Sequence, residues 1–366
     1  MKPIIGVPIV VTLLYRAYSR KSLTPLGLVA AGLTATAHAA HPWATPVALL
    51  AVFYLAGTKA TKVKHDIKAR LTLSATGTDG GEGQRTHIQV LANSIVATVL
   101  ILLHTRLLAI GSSGEPSCFS RGRDAGGLLV VGIVANYAAV SADTFSSELG
   151  ILSKSKPRLI TSPTLRVVPP GTNGGVTAAG LLAGVAGAFL VALTSAALMP
   201  FCSDNEGGFD WKARGQWILA MTIWGGLGSV LDSVLGGLLQ ASVVDKRSGK
   251  IVEGTGGNKV LIHPSSTRPE GAAEASGISR DSLHLRNTEA IANAAALKGT
   301  KATGTSVGTK PGSVDDPSHE SRRIESGSDL LDNNAVNVLM AATMSFGAMG
   351  IASWLWEIPM SGIIGV

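Results

Sequence analysis

Apolar residues gather in eight stretches along the chain, and polar residues separate these stretches. Each stretch holds roughly the 17–25 mostly apolar residues that an α-helix needs to cross the core of a bilayer. Polar residues and prolines interrupt the first three stretches, so the pattern allows seven to nine spans. The stretches cover about residues 3–19, 23–41, 42–58, 88–110, 126–145, 174–199, 215–240 and 335–355. The pattern predicts an all-α fold, a polytopic integral membrane helix bundle with about eight transmembrane helices.

Lys and Arg residues are distributed unevenly between the loops. Of the 31 Lys and Arg residues, 25 lie in the loops after the odd-numbered stretches and 4 in the loops after the even-numbered ones. Short loops rich in these residues stay on the cytoplasmic side of a membrane. We therefore expect the odd loops to be cytoplasmic, with both termini on the opposite side. In a eukaryotic cell, we expect the endoplasmic reticulum or another endomembrane.

The positive charge also bears on binding partners. The net charge is +7, but no aromatic side chains for base stacking accompany the basic loops, so the pattern favours membrane lipids over nucleic acid. Nothing in the sequence determines the oligomeric state.

Composition changes at residues 243–330, which contain no Phe, Trp or Tyr and are rich in small and charged residues. Such a stretch buries too little apolar surface to order itself, so we expect a flexible cytoplasmic insert. Its beginning, "VVDKRSGKIVEGTGGNKVL", has valine-rich ends around glycine turn signals and predicts a short hairpin. The resulting organisation has N-terminal transmembrane helices in 1–60, a catalytic membrane core in 85–242, the insert, and a last transmembrane helix in 331–366 that completes the core.

The two cysteines, Cys118 and Cys202, lie in loops that we expect on the non-cytoplasmic side. A disulfide forms there if that compartment oxidises thiols. Two unpaired thiols are the equal alternative at this stage.

Two carboxylates interrupt apolar stretches near their predicted cytoplasmic ends. Asp143 lies in "NYAAVSADTFSSELG" and Asp232 in "GGLGSVLDSVLGGLLQ". A charge at the centre of a membrane helix costs about 2.5–3.5 kcal/mol on insertion scales, so such residues indicate function. Neither aspartate has a Lys or Arg nearby in its own stretch, and a divalent cation such as Mg²⁺ would neutralise both. Gly225, Gly228 and Gly236 share helical spacing with Asp232, which predicts a smooth face for close helix packing.

Further polar residues reach the same membrane face from neighbouring stretches. We expect Asn173, Asp332 and Asn333 to assist the two aspartates in holding Mg²⁺ and a triphosphate. For Asn136 the alternative is a hydrogen bond in helix packing, and for Glu148 it is a solvent-facing cap. The supporting polar residues are Gln89, Asn93, Asn136, Glu148, Ser233 and Asn337.

A glycine-rich loop precedes the sixth stretch in "VPPGTNGGVT". Its glycines, together with Thr172, are expected to leave backbone amides open at the positive end of a helix, which favours an anion such as phosphate. A glycine-rich turn without a ligand is the equal alternative. The glycines are Gly171, Gly174 and Gly175. The cations that we expect to bind the phosphate of an acceptor molecule are Arg85, Arg158 and Arg166.

Carboxylates for Mg²⁺, a glycine loop and basic residues together suit phosphoryl or nucleotidyl transfer, in which a protein positions groups and spreads charge. Because these groups lie at a membrane face, we expect a lipid acceptor.

The segments "GQRTHIQVLAN", "ADTFSSELGILSKSKPRLIT", "VPPGTNGGVT", "GSVLDSVLGGLLQ" and "LLDNNAVN" together resemble the integral membrane family catalogued as domain of unknown function 92. The resemblance covers about residues 85–260 and 325–350. This family includes the eukaryotic transmembrane protein 19 and the plant phytyl-phosphate kinases. The resemblance implies a Mg²⁺-dependent kinase that converts an isoprenyl monophosphate, such as phytyl phosphate, to the diphosphate, with CTP or ATP as the phosphoryl donor.

Three other classes of function remain open. A transporter or channel for ions or small anions usually has its site near the bilayer midplane, at broken helices related by a repeat. Here the polar residues cluster at one face and no repeat is visible, which favours an enzyme. A lipid nucleotidyltransferase would use the same groups, and a membrane scaffold would recruit partners through the insert.

Overall fold

Helices form most of the chain in the computed structural model, which describes residues 2–75, 77–80, 83–110, 118–119, 122, 124–202, 211–260 and 322–364. Eight of the helices within these residues correspond to the eight apolar stretches, and a short one, α4, follows α3. The helices are α1 (Pro3–Ser19), α2 (Pro25–Ala40), α3 (Thr45–Lys62), α4 (His65–Ala69), α5 (His87–Ile110), α6 (Ala125–Gly150), α7 (Ala178–Leu198), α8 (Trp211–Leu239) and α9 (Asn333–Trp356).

Local sequence explains where several helices begin. A side-chain oxygen caps α2, α6, α7 and α9 by accepting from the backbone N–H three residues further on, at 2.8–3.1 Å. These capping residues are Thr24, Asp124, Thr177 and Asp332. Such caps satisfy amides that have no partner inside the helix. Helices α1, α2 and α3 have a proline in the first turn, where its missing N–H costs nothing.

Helix α6 is the centre of the bundle and packs against α3, α5, α7, α8 and α9. Every residue from Gly127 to Ala142 is buried. Helix α8 approaches its neighbours closely at two glycines. A Cβ added at Gly225 would lie 2.7 Å from Ala188 Cβ on α7, and one at Gly228 would lie 2.5 Å from Ala139 Cβ on α6. The prediction of a smooth glycine face on this helix is confirmed.

Membrane-spanning character is strongest in the second half of the bundle. Helices α5, α6, α7, α8 and α9 are each long and apolar enough to cross a membrane, whereas α1 and α2 are shorter apolar helices. Helix α1 packs against α2 and exposes Ile4, Val7, Val11 and Tyr15, as a lipid-facing helix does. The chain is a multi-pass helical membrane protein, as the hydrophobic pattern predicts.

Two small sheets form in the loops. The strands are β1 (Leu73–Ser74), β2 (Arg158–Leu159), β3 (Gly175–Val176), β4 (Ser242–Asp245), β5 (Ile251–Glu253) and β6 (Arg322–Ser326). One sheet has the order β1-β5-β4-β6, with β1 parallel to β5 and the other pairs antiparallel; β2 and β3 form a separate antiparallel pair.

The predicted hairpin is therefore confirmed, with Val243 paired to Val252 in β4 and β5. Strand β6 lies inside the range predicted as a flexible insert and pairs with β4, so that range is ordered at both ends. Residues 261–321, its middle, lie outside the described residues.

The loops after α1, α3, α6 and α8 meet at one end of the bundle. Leu23 bridges to Arg85, and the Asn173 N–H donates to Ser242 Oγ at 2.9 Å. At the other end, Cys118 and Cys202 form a disulfide, which decides between the two alternatives for the cysteines. The loops rich in Lys and Arg thus share one end, and the compartment that this end faces stays a prediction.

Candidate active site

A cavity of about 1000 Å³ lies at the end of the bundle where the basic loops meet. Helices α5, α6, α7, α8 and α9 contribute to its wall, together with the loops after α3, α6 and α8. Most residues that the sequence nominated line it: Arg85, Gln89, Asn93, Asp143, Glu148, Gly171, Thr172, Asn173, Gly174, Gly175, Asp232, Ser233, Asp332, Asn333 and Asn337.

The two aspartates meet inside this cavity. The carboxyl groups of Asp143 on α6 and Asp232 on α8 lie within hydrogen-bonding distance of each other, and both residues are half-buried. With its amide oriented to donate, Asn337 N lies 3.3 Å from Asp232 Oδ1 and 3.2 Å from Asn333 O. Two ionised carboxylates at this range repel each other strongly, and a divalent cation between them removes that repulsion.

The donor atoms around the pair are oxygens. Asn93, Asn173 and Asn333 line the same cavity and carry amide oxygens. Within the described residues, no group of three or more His, Cys, Asp or Glu side chains could hold a metal. The protein thus offers two carboxylates and several amides, which suits Mg²⁺, because this ion is usually held by one or two carboxylates, water and substrate phosphates.

The glycine-rich loop lines the cavity, but packing explains much of its composition. Gly171 and Gly174 have φ values of +86° and +77°, a region that favours glycine. A Cβ at Gly174 would lie 2.8 Å from both Gly237 Cα and Ser233 O on α8. Gly174 therefore allows the loop to touch α8 next to Asp232.

The expectation that this loop presents a set of open amides is largely wrong. The N–H of Thr172 donates to Pro169 O at 3.3 Å, that of Asn173 to Ser242 Oγ, and that of Gly175 to Thr172 O at 2.9 Å. The amides of Gly171 and Gly174 have no acceptor among the described residues. These two amides are therefore available for a phosphate contact at this loop.

Two of the three predicted phosphate-binding arginines lie outside the cavity. Arg158 is exposed and donates to Leu165 O at 3.1 Å, and Arg166 pairs with Glu325 on β6 at 2.7 Å. The assignment of both to the acceptor phosphate is therefore wrong, because the Arg166 side chain binds a glutamate of the sheet and the Arg158 side chain binds a carbonyl of its own loop. Arg85 does line the cavity.

Glu148 is neither a solvent-facing cap nor a plain polar neighbour of the aspartates. Its Oε2 pairs with Lys68 Nζ on α4 at 2.5 Å, and its Oε1 accepts from Thr61 Oγ1 at 2.8 Å. The side chains of Lys68 and Glu148 are only 9% and 12% exposed. Glu148 therefore belongs to the cavity wall as one member of a nearly buried ion pair.

Two other nominated residues have structural contacts. Asn136 is fully buried away from the cavity, and its Nδ2 donates to Asn93 O at 3.3 Å, so the helix-packing alternative holds for its amide. Asp332 caps α9 through a 2.8 Å bond from the Ala335 N–H. The Asp332 carboxylate therefore already accepts a hydrogen bond at the start of α9.

A family model described as "Integral membrane protein DUF92" matches residues 8–345. The chain belongs to this family. The family resemblance drawn from the sequence motifs is thereby confirmed.

Several curated relatives share parts of this DUF92 chain. Protein PGR of Arabidopsis thaliana is 38% identical over 240 residues, which cover 65% of the chain and 79% of the relative. The uncharacterized membrane protein MJ0933 of Methanocaldococcus jannaschii is 43% identical over 111 residues, 30% of the chain and 40% of the relative. The chloroplastic protein VTE6 of Arabidopsis thaliana is 28% identical over 189 residues, which cover 52% of the chain and 49% of the relative. No solved structure matches the chain.

Sequence reasoning missed several residues of the DUF92 cavity. Lys68 and Lys259 line it, although their positive charge was used only to predict topology. Residues 254–258 also line it; their glycines were interpreted only as turn signals for the hairpin. The signal that these residues share is their clustering in loops on one predicted membrane face.

Proposed function

We propose that this chain is a membrane kinase that transfers a phosphoryl group from a nucleoside triphosphate, CTP or ATP, to an isoprenyl monophosphate and so forms the diphosphate. The observation that carries the proposal is the meeting of Asp143 and Asp232 in a cavity that Arg85 also lines. Phosphoryl transfer needs little covalent help from a protein and depends on positioning and charge neutralisation. The isoprenyl acceptor rests on the resemblance to phytyl-phosphate kinases.

The carboxylates of Asp143 and Asp232 would hold Mg²⁺, and Asn173 or Asn333 would assist through amide oxygens. Bound there, Mg²⁺ would neutralise charge on the phosphate oxygens of the donor. The acceptor phosphate oxygen attacks the terminal phosphorus, the bond from that phosphorus to the bridging oxygen breaks, and the nucleoside diphosphate leaves. No general base is required, because the acceptor phosphate is already ionised at neutral pH.

The position of the cavity favours an enzyme over a transporter. Beyond Asp143, helix α6 is buried from Gly127 to Ala142, and Gly225 and Gly228 bring α8 against it. The bundle behind the acid pair is therefore closely packed. Transporters place their sites near the midplane, at broken helices, whereas this cavity is built largely from loops at one end.

The test uses the full chain in nanodiscs with Mg²⁺ and phytyl, geranylgeranyl or farnesyl monophosphate. CTP and ATP are labelled at the γ-phosphate in one set of reactions and at the α-phosphate in a second set. We expect γ-label in a prenyl diphosphate and no α-label in any lipid. The matched prenyl alcohols serve as control acceptors and should stay unlabelled.

Two outcomes would contradict the proposal. Transfer of α-label to the lipid would indicate nucleotidyl transfer, and an unlabelled lipid fraction from folded protein with every acceptor would exclude the kinase. Folding is verified in the same samples by a cooperative thermal transition.

A further inference from the structure

We infer that Thr61, Glu148 and Lys68 form a positioning chain that holds the Arg85 guanidinium for the phosphomonoester group of the lipid acceptor. The identity of this ligand rests on the proposed function. The arrangement of this positioning chain stands on contacts between α3, α4, the loop before α5, and α6. The three residues act through Arg85 and do not touch the reacting atoms.

The first link joins Arg85 to the glutamate. Arg85 Nη2 donates to Thr61 Oγ1 at 3.0 Å, and Thr61 Oγ1 donates to Glu148 Oε1 at 2.8 Å. Gly57 O also lies 3.1 Å from this hydroxyl, but a hydroxyl has one proton and the charged acceptor is the stronger one. The donation to Glu148 leaves the Thr61 oxygen lone pairs directed at the guanidinium.

The second link neutralises the glutamate. Lys68 Nζ lies 2.5 Å from Glu148 Oε2, 2.6 Å from Thr61 O and 3.2 Å from Ala60 O. An ammonium group has three protons, so these three acceptors use all of them. Lys68 is thereby occupied within the protein, and Glu148 is paired and unsuited to a second cation. Its remaining role is to orient Thr61.

The backbone of Arg85 is fixed as firmly as its side chain. The Arg85 N–H donates to Ser22 O at 3.0 Å, and Arg85 O accepts from the Thr24 N–H at 3.0 Å. The loop after α1 thus holds the backbone of Arg85, and the end of α3 holds its guanidinium. Ordering an arginine before its ligand arrives reduces the entropy lost on binding.

The location of the guanidinium points to the lipid substrate. A Cβ at Gly57 would lie 3.9 Å from Arg85 Nη1 and 3.5 Å from Thr144 Cγ2. Gly57 lies inside α3, and Thr144 directly follows Asp143 on α6. Arg85 therefore reaches from its loop to the last two turns of α3 and α6, the level at which a lipid headgroup would lie. Its planar fork matches the oxygens of a phosphate.

The test measures binding of farnesyl phosphate to the full chain in nanodiscs without nucleotide, with farnesol as the ligand that lacks phosphate. Thr61→Val removes the hydroxyl and keeps the shape, and we expect the dissociation constant for farnesyl phosphate to rise about tenfold, with farnesol unchanged. Thr61→Ser should restore binding. The KM for the nucleotide should not change in either variant.

Thr194→Val is the matched control. Thr194 is likewise a threonine within a membrane helix; its hydroxyl donates to Leu190 O at 2.8 Å, and it does not line the cavity. We expect this variant to bind farnesyl phosphate as the unchanged chain does. A loss of binding caused by general damage to a helix would appear in both valine variants.

The inference is overturned if Thr61→Val binds farnesyl phosphate normally, if farnesol binding falls equally, or if the unchanged chain does not prefer the phosphate. Failure of the proposed function gives a different result. In that case binding of farnesyl phosphate would depend on Thr61 but no diphosphate would form in the labelling assay.

Discussion

The two ends of the helix bundle differ in how their polar groups are satisfied. At the end with the cavity, Asp143 and Asp232 face each other, and among the described residues neither forms an ion pair with a Lys or Arg. At the opposite end, which we call the closed end, Cys118 and Cys202 are bonded, and Arg214 and Trp217 donate hydrogen bonds within the protein.

Aromatic packing reinforces the closed end. The ring of Phe119 lies 5.3 Å from that of Phe201 and 5.0 Å from that of Trp217. The guanidinium of Arg214 lies 4.4 Å above the Phe201 ring and donates to Ala196 O. Trp217 Nε1 donates to Ser195 Oγ at 2.8 Å. These contacts join the loops after α5 and α7 to the start of α8.

The comparison indicates that the two ends have different roles. Buried polar groups that pair with each other stabilise a fold, whereas strongly interacting like charges are characteristic of functional sites. On the proposed function, the closed end serves stability and the cavity end serves chemistry. Three predictions test this division, from the largest expected effect to the smallest.

Changing either acid of the cavity should have the largest effect. We expect Asp143→Asn or Asp232→Asn to lower kcat by about 10³-fold, because each removes a carboxylate that would hold the Mg²⁺ that neutralises the transferring phosphate. The melting temperature should stay equal or rise, since like-charge repulsion disappears. Kinase assays and thermal unfolding measure the two effects.

Asp124→Asn is the control for this prediction, because it makes the same chemical change at the other end of α6. Asp124 accepts from the Gly127 N–H at 2.9 Å as a cap, and asparagine caps helices equally well. Full activity in Asp143→Asn, or an equal loss in Asp124→Asn, would contradict the division between the ends.

Removing the disulfide should affect stability and spare the chemistry. The bond closes a separation of 84 residues. We expect Cys118→Ser with Cys202→Ser to lower the free energy of unfolding by about 2–4 kcal/mol, with kcat unchanged below the melting temperature. Denaturant unfolding in detergent measures this loss. A reductant should destabilise the unchanged chain and leave the double variant unaffected. If the reductant leaves the melting temperature of the unchanged chain as it was, the role of the closed end is refuted.

A change between the two ends should show how they are coupled. Gly228→Ala places a Cβ 2.5 Å from Ala139 Cβ and 2.9 Å from its Cα, and we expect a loss of about 1–3 kcal/mol in stability from overpacking. Because Asp232 lies one turn further along α8, kcat should also fall. Unfolding and kinase assays on one preparation test both effects.

Gly226→Ala is the matched control on the same helix. Its Cβ would lie 3.4 Å from Val185 Cγ2, an ordinary contact, and alanine favours the helix by about 1 kcal/mol over glycine. Its stability should therefore be unchanged or raised. Equal effects of the two alanines would show that helix packing at Gly228 does not position Asp232.

Much of the bundle follows from the sequence because its cause is local. Apolar length gives the helices, and glycine spacing on one face predicts that α8 packs closely. The cost of a charge inside an apolar stretch singles out Asp143 and Asp232, and the clustering of Lys and Arg predicts which loops share an end. Each of these signals is contained within a single segment.

The contacts between segments required the tertiary structure. The sequence analysis assigned Arg158 and Arg166 to a phosphate and Glu148 to the supporting polar residues, whereas the fold directs Arg166 to Glu325 and Glu148 to Lys68. These partners lie 159 and 80 residues away. Helical spacing defines the face of a residue within its own helix but carries no information about what that face meets.

The sequence by itself therefore determined a helical membrane protein of the DUF92 family with an acid pair near one membrane face. The tertiary structure alone decided that the two acids lie beside each other, that the cysteines pair, and that Thr61 lies between Arg85 and Glu148. The physical reason is range: burial and periodicity act along one helix, whereas the role of a charge depends on its nearest partner in space.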